Sequence, residues 1–268
     1  MEFCTFQFAM KTVFYILLFI SFPIFGQESI ETTFVSKIPF EADTLIGIDN
    51  FGTVYFIKKN TLYKIEDNKN YSYSNVQFGK ITSSNSFNPL KIPVFYEDFN
   101  AAYILDNRFA EILKIDFNTM EYYKNVSLLS TANDNALWVF NEDIQQLELF
   151  DYKTNKTRAT TLPIESKALD LKSNYNYAWL LTEKYLYKYN YFGSLVYKVK
   201  NDGFTALVES NDAIFLVKEQ QLYYFNEKET SFQLIKTPEL LTKQFLVTNE
   251  TVYIYDSKNL HKFQLNNK

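Results

Sequence analysis

A short strand-like phrase recurs six times along this chain of 268 residues. Its copies are NTLYKI (60–65), AEILKI (110–115), QQLELF (145–150), KYLYKY (184–189), QQLYYF (220–225) and KNLHKF (258–263). Aligned on their shared apolar residue, successive copies lie 50, 35, 39, 36 and 38 residues apart. A period of roughly 20 to 50 residues is typical of solenoids and propellers, in which every unit packs on its neighbours. The chain is therefore expected to be one array of like units.

A second apolar run begins eight to ten residues before each copy of the phrase. These runs are GTVYFI (52–57), AAYILD (101–106), NALWVF (135–140), NYAWLL (176–181), DAIFLV (212–217) and ETVYIY (250–255). Two strands joined by a short polar turn produce this offset. Further strand-like runs flank each pair, as with TALV (205–208) before it and SFQLIK (231–236) after it. The unit is thus four strands, and in the second unit EYYKNV (121–126) is the predicted fourth strand.

Four antiparallel strands at this period resemble a blade of a β-propeller, of the divergent WD40-like or quinoprotein-like kind found in exported bacterial proteins. Apolar groups on both faces of VYFI and LYKI fit strands that neighbouring blades cover on both sides. The resemblance implies an all-β fold, a six-bladed propeller of four-stranded antiparallel blades over residues 27–268. A helical alternative exists for LPIESKALDL (162–171) and TPELLTKQFL (237–246), which could each form a turn or two of helix.

The last unit is one strand short, because the chain ends five residues after its KNLHKF phrase. Near the other end, TTFVSKI (32–38) resembles the fourth strands that precede other units, with Pro and Glu following it. We therefore predict that residues 32–38 pair with residues 258–265 as the outer strand of the sixth blade. This pairing would close the ring and protect an exposed sheet edge.

The N-terminus reads as an export signal, since Lys11 precedes a mostly apolar stretch over residues 12–25. A bilayer span needs roughly 20 apolar residues, so we expect a cleaved signal peptide over residues 1–26, with Met10 as an alternative start. Cys4 is the sole cysteine and precedes this stretch, so the mature chain would lack thiols and disulfides. No later segment is apolar enough to span a membrane. We expect a periplasmic, extracellular or outer-membrane-associated protein.

Composition narrows the function classes. A formal net charge of −4 and a pI near 5.3 disfavour nucleic acid, whose binders carry a basic face. His261 is the only histidine and lies inside a predicted strand, so we expect it to be partly buried and structural. No phosphate-binding glycine motif occurs, and we expect no metal and no cofactor. The favoured function is a monomeric, non-enzymatic scaffold that binds a protein or peptide partner in the cell envelope.

The alternative is a carbohydrate-binding or carbohydrate-active propeller, and a small-molecule or quinone enzyme also stays open. A glycosidase would need two carboxylates, and candidates occur in the turns expected between second and third strands: Asp106, Glu111, Glu142, Asp143, Glu183, Glu219 and Asp256. Tyrosines alternate along one strand and could either stack sugars or pack between blades: Tyr185, Tyr187, Tyr189 and Tyr191.

The only sizeable insertion, ITSSNSFNPLK (81–91), marks a candidate binding site, because long polar loops on a rigid scaffold often carry function. We predict that it lies beside the propeller axis, on the same end of the disc as Arg108 and the Glu142–Asp143 pair. The candidate binding residues are Asn85, Asn88, Arg108, Glu142 and Asp143.

Overall fold

A computed structural model describes residues 29–67 and 69–266, and the expected signal peptide with Cys4 and Met10 lies outside these residues. The described residues form 24 strands in six four-stranded sheets. In chain order the strands are β1 (Thr32–Pro39), β2 (Thr44–Ile48), β3 (Val54–Lys58), β4 (Thr61–Glu66), β5 (Lys69–Tyr73), β6 (Ser83–Ser84), β7 (Ile92–Tyr96), β8 (Ala101–Leu105), β9 (Glu111–Asp116), β10 (Val126–Thr131), β11 (Ala136–Asn141), β12 (Gln146–Asp151), β13 (Lys156–Thr160), β14 (Ala168–Ser173), β15 (Tyr177–Thr182), β16 (Tyr185–Asn190), β17 (Leu195–Lys200), β18 (Ala206–Ser210), β19 (Ala213–Lys218), β20 (Gln221–Asn226), β21 (Ser231–Ile235), β22 (Gln244–Thr248), β23 (Thr251–Tyr255) and β24 (Asn259–Leu265). Three 3₁₀ turns span Val76–Phe78, Glu97–Phe99 and Phe117–Thr119.

Five of the sheets are consecutive antiparallel meanders, β2–β5, β6–β9, β10–β13, β14–β17 and β18–β21, which we number as blades 1 to 5. Blade 6 has the strand order β22–β23–β24–β1, so its outer strand comes from the start of the described chain. First strands of neighbouring blades lie beside one another around a central axis. The fold is a six-bladed β-propeller, as the repeats predict.

The hydrophobic core is divided into six clusters, and each cluster lies between two neighbouring blades. Trp138 of blade 3 packs with Leu180 and Tyr187 of blade 4, and Trp179 of blade 4 packs with Leu216 of blade 5. Every central strand therefore buries side chains on both of its faces. This explains why its apolar residues do not alternate cleanly with polar ones.

The ring closes as the sequence predicts. Strand β1 pairs with β24 in an antiparallel ladder that runs from Thr32 opposite Leu265 to Pro39 opposite Asn259. Phe40 then packs edge-on against Phe56 of blade 1, with ring centroids 5.1 Å apart. The chain thus passes from the outer strand of the last blade directly into the first.

The two ends of the disc carry different loops. The hairpin end, as we call it, holds the loops between first and second strands (49–53, 85–91, 132–135, 174–176, 211–212 and 249–250) and those between third and fourth strands. The crossing end holds the loops between second and third strands and the segments that connect one blade to the next. Antiparallel order fixes this division, because each strand reverses direction.

Blade 2 corrects the sequence-based assignment by one strand. AAYILD forms the third strand β8 and AEILKI the fourth strand β9, whereas IPVFY, which was not assigned, forms the second strand β7. EYYKNV is not a fourth strand; it lies in the connection to β10. The proline in β7 conceals the strand in the sequence, since proline is rare in central strands. The carbonyl oxygen of Pro93 faces β6 and accepts hydrogen bonds from the Ser84 hydroxyl and the Asn85 amide nitrogen. Strand β6 ends at Ser84, next to this carbonyl.

The helical alternative is wrong in both segments. Residues 161–167 and 236–243 are irregular connections, and each leads into the first strand of the next blade. Pro163 and Pro238 lie near the starts of these connections and disfavour a helix there. The residues that follow form the first strand of the next blade, where strand pairing and burial stabilise the chain more than a single turn of helix would. Within residues 29–67 and 69–266, no helix has the length and apolarity needed to cross a membrane.

Candidate functional site

A cavity of about 620 Å³ lies on the propeller axis. Its walls are the first strands of blades 1, 4, 5 and 6, and loop 85–91 of blade 2 also lines it. A first strand has no neighbouring strand on its axial side, so its edge exposes backbone groups that require hydrogen-bond partners. Backbone N–H and C=O groups of these strand edges therefore make the cavity wall polar.

Side chains of one blade satisfy this backbone edge in the next. Gln244 of blade 6 accepts a bond from the Leu45 amide nitrogen through Oε1 (2.7 Å) and donates to the Leu45 carbonyl through Nε2 (3.2 Å). Asp170 of blade 4 accepts from the Leu207 amide nitrogen at 2.7 Å and also pairs with Lys172 at 3.1 Å. These bonds fix the inner strands relative to one another and give the cavity a rigid wall.

Loop 85–91 extends across the hairpin end of the cavity. Asn85 Nδ2 donates to Ser130 Oγ of blade 3 at 3.1 Å, and Phe87 packs edge-on against Tyr175 of blade 4 at 4.8 Å. On the opposite side, Ser86 lies so close to Gly47 of blade 1 that a Cβ at that glycine would fall 2.2 Å from Ser86 Oγ. The insertion therefore contacts three blades besides its own.

A row of exposed carboxamides borders the same mouth of the cavity. Asn211 of blade 5 donates through Nδ2 to Asn249 Oδ1 of blade 6 at 2.9 Å, and Asn249 donates to Asn50 Oδ1 of blade 1 at 3.0 Å. In blade 4, Asn174 donates in the same way to Asp212 of blade 5 at 2.6 Å. These bonds link the hairpin-end loops of blades 4, 5, 6 and 1 in succession.

Four loops of this end contain the same turn, in which the side-chain oxygen of an Asp or Asn accepts a hydrogen bond from the backbone amide two residues later in the chain. Each of these turns also exposes an aromatic side chain. The Asx residues are Asp49, Asn85, Asn174 and Asn190. The presented aromatics, with their exposed fractions, are Phe51 (94%), Phe87 (40%), Tyr175 (42%), Tyr191 (44%) and Phe192 (66%). Leu90 of loop 85–91 is also exposed. The same turn chemistry thus holds apolar side chains out of the core at one end of the disc.

The structure separates the predicted site residues. Asn85 lines the axial cavity, while Asn88 stabilises its own loop by accepting from the Leu90 amide nitrogen. Arg108 lies in the loop between β8 and β9, so it shares the hairpin end with the insertion, but at the rim of the disc and not beside the axis. The neighbouring carboxylates Asp106 and Glu111 also flank this third-to-fourth-strand loop, contrary to their expected position.

Glu142 and Asp143 lie on the crossing end, so the expectation that they share an end with the insertion is wrong. The cause is the strand shift in blade 2, which moves Arg108 into a different kind of loop. Glu142 accepts from Ser127 Oγ at 2.6 Å and lines a second cavity together with Glu97. Burial, and then the nearby carboxylates Asp98 and Glu142, raise the pKa of Glu97.

His261 is buried in β24, as expected, and its Nε2 lies 2.8 Å from Asp256 Oδ2. Burial alone would raise the pKa of the Asp256 carboxyl, but hydrogen bonds from His261, Asn259 and backbone amides outweigh burial and hold this pKa well below its usual range. The pair supports the loop between β23 and β24. Among the residues that the structure describes, no group of three or more His, Asp or Glu is placed to hold a metal ion.

The tyrosines of β16 belong to the core. Tyr187 and Tyr189 are buried against blade 3 and stack on each other with centroids 6.0 Å apart, while Tyr185 packs at the margin of the same cluster. Tyr191 lies beyond the strand in an exposed turn. Sequence inspection missed this role of Tyr191 and its neighbours, although the recurring pattern of Asx followed by an aromatic in DNF (49–51), NSF (85–87) and NYF (190–192) could have shown it.

No protein-family model matches this sequence, and no curated protein matches it. Solved structures do match. A catalytically inactive variant of virginiamycin B lyase from Staphylococcus aureus with quinupristin has a TM-score of 0.61 and 10% identity over 91% of this chain and 97% of that one. A chain of the mitotic checkpoint complex has a TM-score of 0.58 and 12% identity, over 92% of this chain and 95% of that one. BamB from Moraxella catarrhalis has a TM-score of 0.56 and 10% identity, over 88% of this chain and 98% of that one. At such identities the likeness establishes the propeller fold alone.

Proposed function

We propose that this protein is an interaction module of the cell envelope that binds a protein or peptide partner on its hairpin end. The observation that carries the proposal is a set of exposed apolar side chains, which we call the hairpin-end patch: Phe87, Leu90, Tyr175, Tyr191 and Phe192. The crossing end also exposes apolar side chains, among them Tyr122, Leu162 and Leu241. The aromatics of the hairpin-end patch differ in that they are held in contacting pairs, Phe87 with Tyr175 and Tyr191 with Phe192, on turns of a rigid scaffold, which is typical of an interaction site.

The patch is held in place before any partner arrives. Phe87 rests on Tyr175, and Tyr191 lies 4.0 Å from Phe192 between ring centroids. Both amide nitrogens that follow the Asx residues, at Phe87 and Phe192, are hydrogen-bonded within their turns. A fixed aromatic surface loses little conformational entropy on binding, and aromatic residues are enriched among the residues that dominate binding energy.

A partner with its own apolar anchors fits this surface best, because polar residues of the same loops, such as Asn88 and Asn176, stand next to the aromatics as polar rim residues adjoin the core of an interface. Location in the envelope rests on the apolar stretch over residues 12–25 that follows Lys11. Among the structural neighbours, one propeller is a chain of the mitotic checkpoint complex, which shows that this fold can serve within an assembly.

The test compares two double variants of the full chain. Tyr175→Ala with Phe192→Ala removes two anchors of the patch, whereas Tyr122→Ala with Tyr123→Ala removes two exposed tyrosines from the crossing end. We expect the parent and the control to retain the same stoichiometric partner from cross-linked envelope extract. The patch variant should recover at least tenfold less of this partner. Equal recovery by the patch variant, or loss with the control, would overturn the proposal.

A further inference from the structure

We propose that the hairpin-end mouth of the axial cavity is a binding site for a neutral carbohydrate. This site is distinct from the hairpin-end patch, because it is built by blades 5, 6 and 1 together with the inner side of loop 85–91. The proposal goes beyond partner binding and does not depend on it. Its basis is the row of carboxamides formed by Asn211, Asn249 and Asn50, together with the exposed Phe51 that follows Asn50 in the chain.

The carboxamide row has hydrogen-bonding capacity left over. A carboxamide offers two N–H donors and two acceptor lone pairs, and the bond from Asn249 to Asn50 uses one of each. All three asparagines are exposed, so each retains polar positions that face solvent. Neighbouring hydroxyls of a sugar ring both donate and accept, which matches a carboxamide whose orientation is already fixed. The row thus presents several oriented amides in place of freely rotating ones.

An exposed aromatic side chain lies on the same turn as one of these amides. Phe51 follows Asn50 directly and is 94% exposed, and its amide nitrogen is bonded to Asp49 Oδ1 at 2.9 Å. A turn held in this way presents the ring to solvent, where it contributes nothing to the core. Sugars carry C–H groups on one face of the ring, and an aromatic side chain can cover that face. The carboxamides can bond the hydroxyl groups of a pyranose, and the aromatic ring can cover its C–H face.

The charges around the mouth favour a neutral ligand. Asp49 accepts from the Phe51 and Thr53 amide nitrogens, and Glu209 accepts from Asn174 and from the Asp212 amide nitrogen. Both carboxylates are therefore engaged in holding loops. Of the other charged residues that line the cavity, Lys172 pairs with Asp170, and Glu219 and Lys243 lie toward the crossing end. At the hairpin end the lining also offers the amides of Asn50, Asn85 and Asn211, which compete poorly for ions but bond well to uncharged hydroxyls.

The cavity has room for such a ligand. Its volume of about 620 Å³ lies within the range of roughly 300 to 1,000 Å³ that is usual for small-molecule sites. Asn50, Asn211 and Asn85 all line it, so a sugar on the carboxamide row would extend inward over the axis. We expect one or two sugar units of an oligosaccharide to be held there.

The test uses the full chain on an array of neutral oligosaccharides, followed by calorimetry with maltotriose, cellotriose and chitotriose. We expect at least one class to be retained, with dissociation constants between micromolar and millimolar. Phe51→Ala should weaken binding at least tenfold with an unchanged melting temperature, because the ring is almost fully exposed. Asn249→Ala should weaken it as well, while Tyr122→Ala should have no effect.

Retention of no glycan on the array, or equal affinity in Phe51→Ala and the parent, would overturn the carbohydrate site. The patch variant with Tyr175→Ala and Phe192→Ala separates the two proposals. It should lose the protein partner and bind sugar as the parent does, so that failure of one proposal leaves the other open to its own test.

Discussion

Removing strand β1 should open the propeller. The perturbation is a chain that begins at residue 43, after β1 and Phe40, and the control is a chain that begins at residue 29 and keeps both. In the parent, β1 is the outer strand of blade 6 and leads directly into blade 1. Without it, β24 becomes an unpaired edge, and the link between the last and first blades loses its covalent part.

The magnitude follows from the ladder. Seven residue pairs join β1 to β24, and at a net of about 0.5–1.5 kcal/mol for each hydrogen bond such a ladder contributes roughly 4–10 kcal/mol. Phe40 adds contacts with Phe56 and Tyr255. A domain of this kind has a total unfolding free energy of about 5–15 kcal/mol, so the shortened chain should be largely unfolded or aggregated at 25 °C.

The assay is urea denaturation followed by tryptophan fluorescence, since Trp138 and Trp179 are buried between blades. A synthetic peptide of residues 30–42, added in excess, should restore folding by supplying the missing strand, and its effect should saturate with concentration. A shortened chain whose urea midpoint lies close to that of the control would refute the reasoning, as would a shortened chain that is folded without the peptide and whose midpoint the peptide does not change.

Three further changes test local parts of the same account. Tyr255→Phe should cost about 1–3 kcal/mol in urea denaturation, because its buried hydroxyl bonds both the amide nitrogen and the carbonyl oxygen of Ala42 at 2.8 Å. Lys188→Met should cost about 1.5–3 kcal/mol, because the buried Nζ donates a charged hydrogen bond to Glu227 of the next blade at 2.7 Å. Asp256→Asn should flatten the acid limb of the stability curve. The lowered pKa of Asp256 means that its contribution is full above pH 4 or so and is lost as pH falls further.

Matched controls sharpen these comparisons. Tyr191→Phe alters an exposed turn and should be neutral. Lys198→Met removes an amine that pairs with Glu165 in a solvent-exposed position, so it should cost clearly less stability than Lys188→Met. Equal losses for Lys188→Met and Lys198→Met would show that burial of the pair is not what matters. An acid limb of unchanged steepness in Asp256→Asn would contradict the assigned role of the carboxylate.

The repeated phrase predicts most of the fold because it occupies strands that two neighbouring blades cover. LYKI in blade 1 and LYKY in blade 4 even share a buried lysine, Lys64 and Lys188, that reaches a loop of the following blade. The closing strand was predictable for a related reason, since TTFVSKI has the pattern of an outer strand without a blade. Both signals arise from constraints that every blade shares.

The strands of blade 2 could not be assigned from the repeat, because this blade departs from the pattern that the other blades share. Pro93 conceals a central strand, and the inner strand is only Ser83–Ser84, so the recognisable apolar pattern begins one strand later in this blade than in the others. This single shift also misplaced Arg108 relative to Glu142. The carboxamide row could not be predicted, because Asn50, Asn211 and Asn249 are brought together only by the closure of the ring.

The claim that the hairpin end is the binding face can be tested most directly by placing the photo-crosslinking residue p-benzoylphenylalanine at single positions of the otherwise unaltered chain. Position 192 on the hairpin end and position 122 on the crossing end are both exposed aromatics. We predict that irradiation of cells joins position 192 to one partner of defined mass and that position 122 gives no such product. The same product from position 122, or none from position 192, would contradict the account.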